Sequence, residues 1–488
     1  MDSNNHKKGI AADSLKLTIA QTISLLINMI NVMLLSRFRS VEEYGTYSQM
    51  LMVSGIIVTF FASGFAQCIN YFLANESNTI KKSNFIKTYY SIISICGLIG
   101  GIVSVLLIPI LTSYFGNEQL KDYWFFLLIY PVSKIVNDGV DRFFILYKKT
   151  NQLMLYKIRY GATTLITVSV AIILKWDFRT YLLVLVITEL LFGVLVYYFV
   201  YKITGVIPFG FTTETAKNIM SFAIPMALAS LVSVINKELD KLVVGGLTDT
   251  ATLAVFTNAA KELPITVFSA SIVTVVMPHV VRQIQNGETG EAVSTWKESI
   301  KLTAMIMCFF CVSLFVFAPQ VISVLYSDKY ISGVSVFRIY LLTELFRLTY
   351  YGMILNAEKK TKLILYSSIC SMVVNLILDI ILYRLIGIQG PAWATVASVV
   401  AMNMFQLIYT KNHINVSFFD IYPVVYIVKC LALNILLSFP FAFLQVQLFK
   451  YVSFNKNIMT IVLGGMWLAL YLFIIRKKAI HLWKSLNS

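Results

Sequence analysis

The stretch AKNIMSFAIPMALASLVSVINKELDKLVVGGL, residues 216–247, decides the fold. Residues 219–236 are almost wholly apolar and make up most of a bilayer-spanning helix. Four charges then fall within the five positions from Lys237 to Lys241. A charge in a spanning helix costs about 2.5–3.5 kcal/mol on insertion scales, so it normally faces a protein interior or a water-filled cavity. Lys237, Asp240 and Lys241 share one helix face. The sequence therefore predicts a membrane helix with a charged face toward a central cleft.

The composition extends this reading to the whole chain. Of the 488 residues, 58% are hydrophobic and 13% are charged, and apolar runs recur from end to end. This predicts an all-α polytopic membrane protein with about fourteen transmembrane helices. The formal charge of +16 could suggest nucleic acid, but the basic residues are scattered over short loops, as membrane topology requires. We therefore expect membrane lipids as partners and no nucleic acid.

The fourteen predicted spans are separated by short loops. More basic residues lie in the loops on the side of the N-terminus, so the positive-inside rule predicts both termini in the cytoplasm. The spans lie near residues 15–36, 45–72, 86–112, 122–146, 154–174, 180–202, 217–247, 251–281, 299–325, 333–356, 363–385, 389–411, 422–446 and 457–475.

Two local matches predict an internal duplication. Residues 33–49, MLLSRFRSVEEYGTYSQ, align without a gap with residues 242–258, LVVGGLTDTATLAVFTN, at an offset of 209. Residues 145–156, ILYKKTNQLMLY, align with residues 354–366, ILNAEKKTKLILY, at an offset of 209 to 211, including the polar Lys-Lys-Thr. Parallel repeats are a transporter architecture.

The duplication predicts two six-helix repeat lobes around a central cavity, followed by two additional helices. The N-terminal lobe would cover residues 1–203 and the C-terminal lobe residues 216–411. Residues 422–488 would hold the two additional C-terminal helices and a cytoplasmic tail.

Further charges interrupt the predicted spans. The fourth, eighth and tenth spans carry Lys134, Asp138 and Asp141, then Lys261 and Glu262, then Arg338, Glu344 and Arg347. One interpretation is that opposite charges hold helices together in the pairs Lys134–Asp138, Glu344–Arg347 and Glu238–Lys241. The other is that they line a cleft for a substrate with anionic and sugar groups, because Arg and Lys side chains match phosphate. Two further acids, Glu189 and Asp379, have no basic neighbour at helical spacing, and the sequence does not indicate their contacts.

Catalytic motifs are missing from the sequence. It contains no Gly-rich phosphate loop, no HExxH and no nucleophile elbow, so neither an enzyme nor a cofactor is expected. Cys308 and Cys311 have redox or metal spacing, but without a second pair or a nearby His we interpret them as small packing residues. No metal site is predicted.

Three motifs resemble the polysaccharide flippases of bacterial O-antigen and capsule export, in the multidrug/oligosaccharidyl-lipid/polysaccharide exporter superfamily. They are LSRFRSVEEYGTYSQ after the first span, LDKLVVGG after the seventh, and GIQGPAWATVAS, residues 387–398, at the start of the twelfth. The resemblance implies transfer of an undecaprenyl-diphosphate-linked oligosaccharide across the bacterial inner membrane by alternating access. It also implies cooperation with a polysaccharide polymerase and a chain-length regulator.

The resemblance assigns roles to the charges in the spans. A cationic cavity would bind the diphosphate and sugars through Lys134, Lys237, Lys241, Lys261, Arg338 and Arg347. The acids would be pair partners or proton- or cation-coupling groups: Asp138, Asp141, Asp240, Glu262 and Glu344.

Other functions remain open at this point. A lipid II flippase would be expected to carry arginines in its first helix, and here none precedes Arg37. A cation-coupled drug antiporter usually has twelve helices and often an acid in the first. A membrane glycan polymerase or ligase commonly needs a sizeable extracytoplasmic loop, and no predicted loop is large.

Overall fold

The computed structural model describes residues 2–74, 76–261, 263–451 and 455–487. Within these ranges the chain is helical and contains no strand, which confirms the predicted all-α fold. The first nine helices are α1 (Asp2–Phe38), α2 (Val41–Cys68), α3 (Thr79–Leu106), α4 (Ile108–Phe115), α5 (Trp124–Asn137), α6 (Val140–Leu146), α7 (Thr150–Ile173), α8 (Phe178–Thr204) and α9 (Thr213–Leu247).

Eleven more helices complete the described chain. They are α10 (Thr250–Ala259), α11 (Thr266–Gln285), α12 (Thr289–Val316), α13 (Ala318–Tyr326), α14 (Val334–Leu345), α15 (Met353–Ala357), α16 (Thr361–Ile386), α17 (Gln389–Ile414), α18 (Phe418–Ile421), α19 (Val424–Tyr451) and α20 (Lys456–Asn487). A short π-helix, Ile69–Leu73, extends α2, and 3₁₀ turns at Glu118–Lys121 and Asp328–Gly333 precede α5 and α14.

Eleven helical segments in the described chain are long and apolar enough to cross a membrane. The three other predicted spans are the fourth, the fifth and the tenth. The fifth is the continuous helix α7, which is less apolar because its first half contains Lys157 and Arg159. The fourth and tenth are each broken into two helices, α5 and α6, and α14 and α15.

The order of the helices repeats along the chain, as the two local sequence matches predict, except that α10 and α11 stand in the place of the single helix α2. The first residues of six helices recur at offsets of 209 to 211: Val41 and Thr250, Thr79 and Thr289, Ile108 and Ala318, Trp124 and Val334, Thr150 and Thr361, Phe178 and Gln389. Both broken spans therefore occupy the same place in their repeat.

The Lys-Lys-Thr motif forms the same turn in both repeats. Lys148 and Lys359 adopt left-handed backbone conformations, with φ of 55° and 61°. The next residue in each case, Lys149 or Lys360, donates its backbone N–H to a carbonyl five residues earlier at 2.8 Å. A left-handed residue that ends one helix lets the following helix begin at once in a new direction.

By packing, the chain divides into an N-terminal unit, Met1–Ala254, and a C-terminal unit, Val255–Ser488. Helix α9 lies in the N-terminal unit, where it packs along α2. The two helices approach closely at Gly64, where an added Cβ would collide with the backbone of Ala223. The predicted lobes, 1–203 and 216–411, follow the sequence repeat and not the packing, and they remain a prediction.

The last two long helices, α19 and α20, pack in the C-terminal unit. Trp467 of α20 is fully buried and stacks on Phe441 of α19, with ring centroids 5.5 Å apart. Tyr471 stacks on Phe309 of α12 and donates its hydroxyl to the carbonyl of Met305 at 2.8 Å. This aromatic cluster fixes the additional pair of helices to the repeat.

Candidate functional site

The break in the fourth span lies at Asp138 and Gly139. Asp138 caps α5, and Asp141 lies in the first turn of α6. An added Cβ on Gly139 would lie 2.5 Å from the hydroxyl oxygen of Tyr89, so a larger residue would require the Tyr89 side chain to move. Backbone groups freed by such a break must find partners inside the protein, because lipid offers none.

Lys134 lies one turn before the break and contacts the neighbouring helices. Its amine is 2.8 Å from Oε1 of Glu189 on α8 and donates to the hydroxyl of Tyr160 on α7 at 2.5 Å. The Tyr160 hydroxyl in turn donates to the same carboxylate oxygen at 2.5 Å. The predicted Lys134–Asp138 pair is therefore wrong, because the amine reaches across to α8 instead of along its own helix.

Two aromatic rings complete the surroundings of Lys134. Its amine lies 5.0 Å from the ring centroid of Tyr130 and 4.8 Å from that of Tyr160, which are cation–π distances. The Glu189 side chain is 3% exposed and that of Lys134 is 25% exposed. The amine is thus fixed in position and compensated by a buried carboxylate, while the side chain as a whole retains partial exposure.

Asp141 is also paired. Its carboxylate forms an ion pair with Lys157 of α7, a contact that the spacing along one helix could not indicate. Nearby, the Tyr156 hydroxyl contacts Asn137, the last residue of α5. Side chains of α7 therefore hold both sides of the break.

The break in the tenth span is longer and separates α14 from α15 by residues 346–352. The carbonyl of Phe346 accepts from the Asn403 side chain at 2.6 Å, and that of Arg347 accepts from the Ser269 hydroxyl at 3.1 Å. Arg347 Nη1 lies 3.6 Å from Oε1 of Glu344, which confirms the predicted pair. Glu344 is buried, whereas the Arg347 side chain is 40% exposed.

Arg338 is directed away from this pair. Its Nε donates to the carbonyl of Phe315 on α12 at 3.1 Å, and the guanidinium lies 5.1 Å from the ring centroid of the same residue. Within the C-terminal unit, the structure brings Arg347 and Glu344 together and places Arg338 on the side of α14 that faces α12.

The charged turn of α9 is continuous helix, as predicted. Lys241 lies 2.8 Å from Glu238, which confirms that pair. Asp240 is only 5% exposed, whereas Lys237 is exposed. The predicted charged face therefore contains both a buried acid and an exposed lysine.

The predicted eighth span is interrupted between α10 and α11. Lys261 lies exposed in this interruption. Glu262 lies outside the described residues.

A polar cluster that the sequence analysis missed surrounds Asp379, which is fully buried. Asn375 Nδ2 lies 3.4 Å from its carboxylate, and Ser398 of α17 donates to the Asn375 side-chain oxygen at 2.5 Å. Ser371 donates to the Ser398 carbonyl at 3.2 Å. The signal was present, because Ser371, Asn375 and Asp379 recur every four residues within an apolar span and so share one helix face.

The described residues contain no group of three or more His, Cys, Asp or Glu side chains that could hold a metal ion. Cys308 and Cys311 are both buried free thiols on α12. Their place in the core agrees with a packing role.

Known proteins resemble this chain in family and in fold. Residues 34–335, more than half of the chain, match a family model described as polysaccharide biosynthesis protein. None of the curated proteins matches the chain in sequence.

Solved structures match over nearly their full length. An inward closed structure of the lipid II flippase MurJ has a TM-score of 0.69 at 18% identity, covering 94% of this chain and 98% of the other. An inward-facing multidrug resistance MATE transporter of the MOP superfamily has a TM-score of 0.61 at 16% identity, covering 83% and 98%. A MOP superfamily transporter from Pyrococcus furiosus, described as having a binding pocket of reversed polarity, has a TM-score of 0.52 at 16% identity, covering 84% of this chain and 96% of the other. At sequence identities of 16% to 18%, the structural similarity shows that this chain shares the fold of these transporters.

Proposed function

Because this chain belongs to the polysaccharide biosynthesis protein family, we propose that it is a lipid-linked oligosaccharide flippase. It would move an undecaprenyl-diphosphate-linked repeat unit from the cytoplasmic to the outer leaflet of the bacterial inner membrane by alternating access. The MOP-superfamily fold, shared with flippases and exporters, is compatible with such a substrate.

The observation that carries the proposal is the pair of broken spans. Discontinuous helices at corresponding places in two repeats are the usual source of substrate and ion sites in transporters. Here the fourth span breaks beside Lys134, Asp138 and Asp141, and the tenth breaks beside Glu344 and Arg347. Charges at a break cannot face lipid without cost, so they face protein or water.

The cations suit a diphosphate with attached sugars. Arg347 is accessible and can offer a planar fork to phosphate oxygens, whereas Lys237 and Lys241 offer point charges. We also retain Lys261 and Arg338 as substrate-binding candidates. Lys134 would act together with Glu189 as a neutral pair that contacts sugar hydroxyls, because its charge is already compensated.

The acids divide into pairing and coupling candidates. Asp141 and Glu344 are paired with Lys157 and Arg347, which favours a structural contribution. Asp138, Asp240 and Glu262 remain candidates for coupling to protons or cations. Asp379 joins them, since a buried acid in a spanning helix is a functional candidate by default.

Gene deletion tests this function. Loss of the protein should cause a lipid-linked oligosaccharide to accumulate in the inner leaflet, and wild-type protein should remove the accumulation. The variant K237Q/K241Q/R347Q should fail to do so at a normal protein level. The matched control K362Q/R384Q/K411Q removes the same number of charges from positions away from the breaks and should complement. Full complementation by K237Q/K241Q/R347Q would reject the assignment.

The runner-up function is another exporter activity of the same superfamily. The MurJ structure covers 94% of this chain, and the multidrug resistance transporter and the Pyrococcus furiosus transporter cover 83% and 84%, so the wider match favours a flippase-type architecture over a drug antiporter. Accumulation of lipid II in the deletion strain would favour peptidoglycan precursor transport. Drug sensitivity without a glycan defect would favour a cation-coupled antiporter.

A membrane glycan polymerase or ligase is less favoured, because the described helices are joined by short connections.

A further inference from the structure

We propose that the C-terminal unit carries a second site, separate from the transported substrate, which binds the headgroup of an anionic phospholipid. The site is a cavity of about 270 Å³ lined by Lys297, Lys301, Lys429, Lys478, Tyr426 and Phe419, together called the lysine pocket. The inference goes beyond the proposed function and requires no particular glycan.

The four lysines come from three helices that pack together. Lys297 and Lys301 lie one turn apart on α12, Lys429 lies on α19 and Lys478 on α20. The positive-inside rule explains why lysines lie near helix ends, but it does not require them to surround one cavity. Their convergence is a property of the packing of α12, α19 and α20.

The lysine pocket has excess positive charge. Lys301 is neutralised by Glu298, whose Oε1 lies 2.5 Å from the amine. The amine of Lys478 lies over the Tyr426 ring, 4.3 Å from its centroid. In the described part of the chain, Lys297 and Lys429 form no ion pair. The amines of Lys297, Lys429 and Lys478 thus share one cavity, and in the described residues none of them forms an ion pair with a carboxylate. A bound phosphodiester would reduce the repulsion between these three positive charges.

The position of the pocket along the helices favours a lipid headgroup over a soluble anion. Lys297 lies in the first third of α12, Lys429 lies in the second turn of α19, and Lys478 follows the apolar stretch of α20. All three mark the same end of spanning helices, which is the headgroup level of the bilayer. Phe419 at the rim is 61% exposed, as expected for an aromatic side chain at the membrane interface.

Basic pockets between spanning helices on the cytoplasmic side bind anionic lipid headgroups. The cytoplasmic assignment of this end rests on the orientation in the proposed function, whereas the binding of an anionic lipid does not. The pocket also adjoins the broken tenth span. Tyr422, in its wall, lies 3.0 Å from the hydroxyl of Tyr351, which belongs to the turn between α14 and α15.

Native mass spectrometry of the full-length protein in detergent tests the site. The probes are phosphatidylglycerol, which is anionic, and phosphatidylethanolamine, which carries phosphate without net charge. The pocket variant is K297Q/K429Q/K478Q. The matched control is K362Q/K411Q/K477Q, which removes three lysines of the same unit that do not line the pocket.

Wild-type protein should retain phosphatidylglycerol in preference to phosphatidylethanolamine. The pocket variant should lose roughly a hundredfold in affinity, since each lysine near a lipid surface contributes about fivefold. The control should bind like wild type. The single variant K429Q changes an exposed side chain, so it should fold normally and lose about fivefold.

Three results would overturn the proposal. Equal retention of the two lipids would show that charge does not select the ligand. Equal loss in the pocket and control variants would show diffuse attraction and no site. Displacement of phosphatidylglycerol by inorganic phosphate would show a site for the free anion.

Discussion

The amine of Lys134 and the carboxylate of Glu189 lie 2.8 Å apart inside the N-terminal unit, although 55 positions separate them in the chain. Removing one partner of a buried ion pair leaves the other charge uncompensated and typically costs about 3–5 kcal/mol. Since Lys134 retains some exposure, we expect K134M or E189M to cost about 3 kcal/mol. Thermal unfolding of the purified variants, followed by tryptophan fluorescence, measures this loss.

The double variant K134M/E189M is the control for this pair. Replacing both charges by apolar groups of similar size removes the desolvation cost, so the double variant should recover most of the lost stability. A double variant whose loss equals the sum of the two single losses would show that the two side chains do not interact.

The sequence indicated these charges but not their partners. Spacing along one helix predicts contacts at i+3 and i+4, and it predicted Glu238–Lys241 and Glu344–Arg347 correctly. It failed for Lys134 because the true partner is on another helix. Contacts between helices depend on rotation and crossing angle, which a hydropathy pattern leaves undetermined.

Gly64 and Gly55 offer a matched test of the packing between α2 and α9. Both glycines lie inside α2, but an added Cβ meets the Ala223 backbone at Gly64 and open space at Gly55. We expect G64A to lower the thermal unfolding temperature and the monodisperse fraction on size exclusion. In contrast, G55A should be neutral or should stabilise by about 0.5–1 kcal/mol, because Ala is the better helix former. Equal behaviour of the two variants would contradict the close approach of α2 and α9.

The orientation of the chain can be tested with single cysteines in a cysteine-free background. Lys149 lies in the turn before α7, which we place in the cytoplasm, and Lys121 lies in the turn before α5, which we place outside. A membrane-impermeant maleimide on intact cells should label K121C, and it should label K149C only after permeabilisation. The reverse pattern would invert the orientation, and with it the proposed direction of transport.

The repeat shows how much the sequence could establish. The Lys-Lys-Thr match at an offset near 210 predicted a duplicated unit. In the structure, Lys148 and Lys359 form the same left-handed turn at corresponding places. The predicted fourth and tenth spans were located correctly as helical regions. Their breaks were not predicted, because the polar residues there, such as Asp138 and Arg347, were interpreted as a charged face of a continuous helix. Freed carbonyls there are satisfied by distant side chains such as Asn403, whose role no local pattern reveals.

Transport in proteoliposomes tests the central claim most directly. Purified protein would be reconstituted with a fluorescent undecaprenyl-diphosphate-linked oligosaccharide, and exposure of the glycan at the opposite leaflet would be followed with a membrane-impermeant quencher. We predict exposure that requires the protein, exceeds that of lipid II, and falls at least tenfold in K237Q/K241Q/R347Q but not in K362Q/R384Q/K411Q, because one lost charged contact to phosphate is worth about 1.5–3 kcal/mol. Exposure equal to that of protein-free liposomes, or faster for lipid II than for the oligosaccharide, would contradict the account.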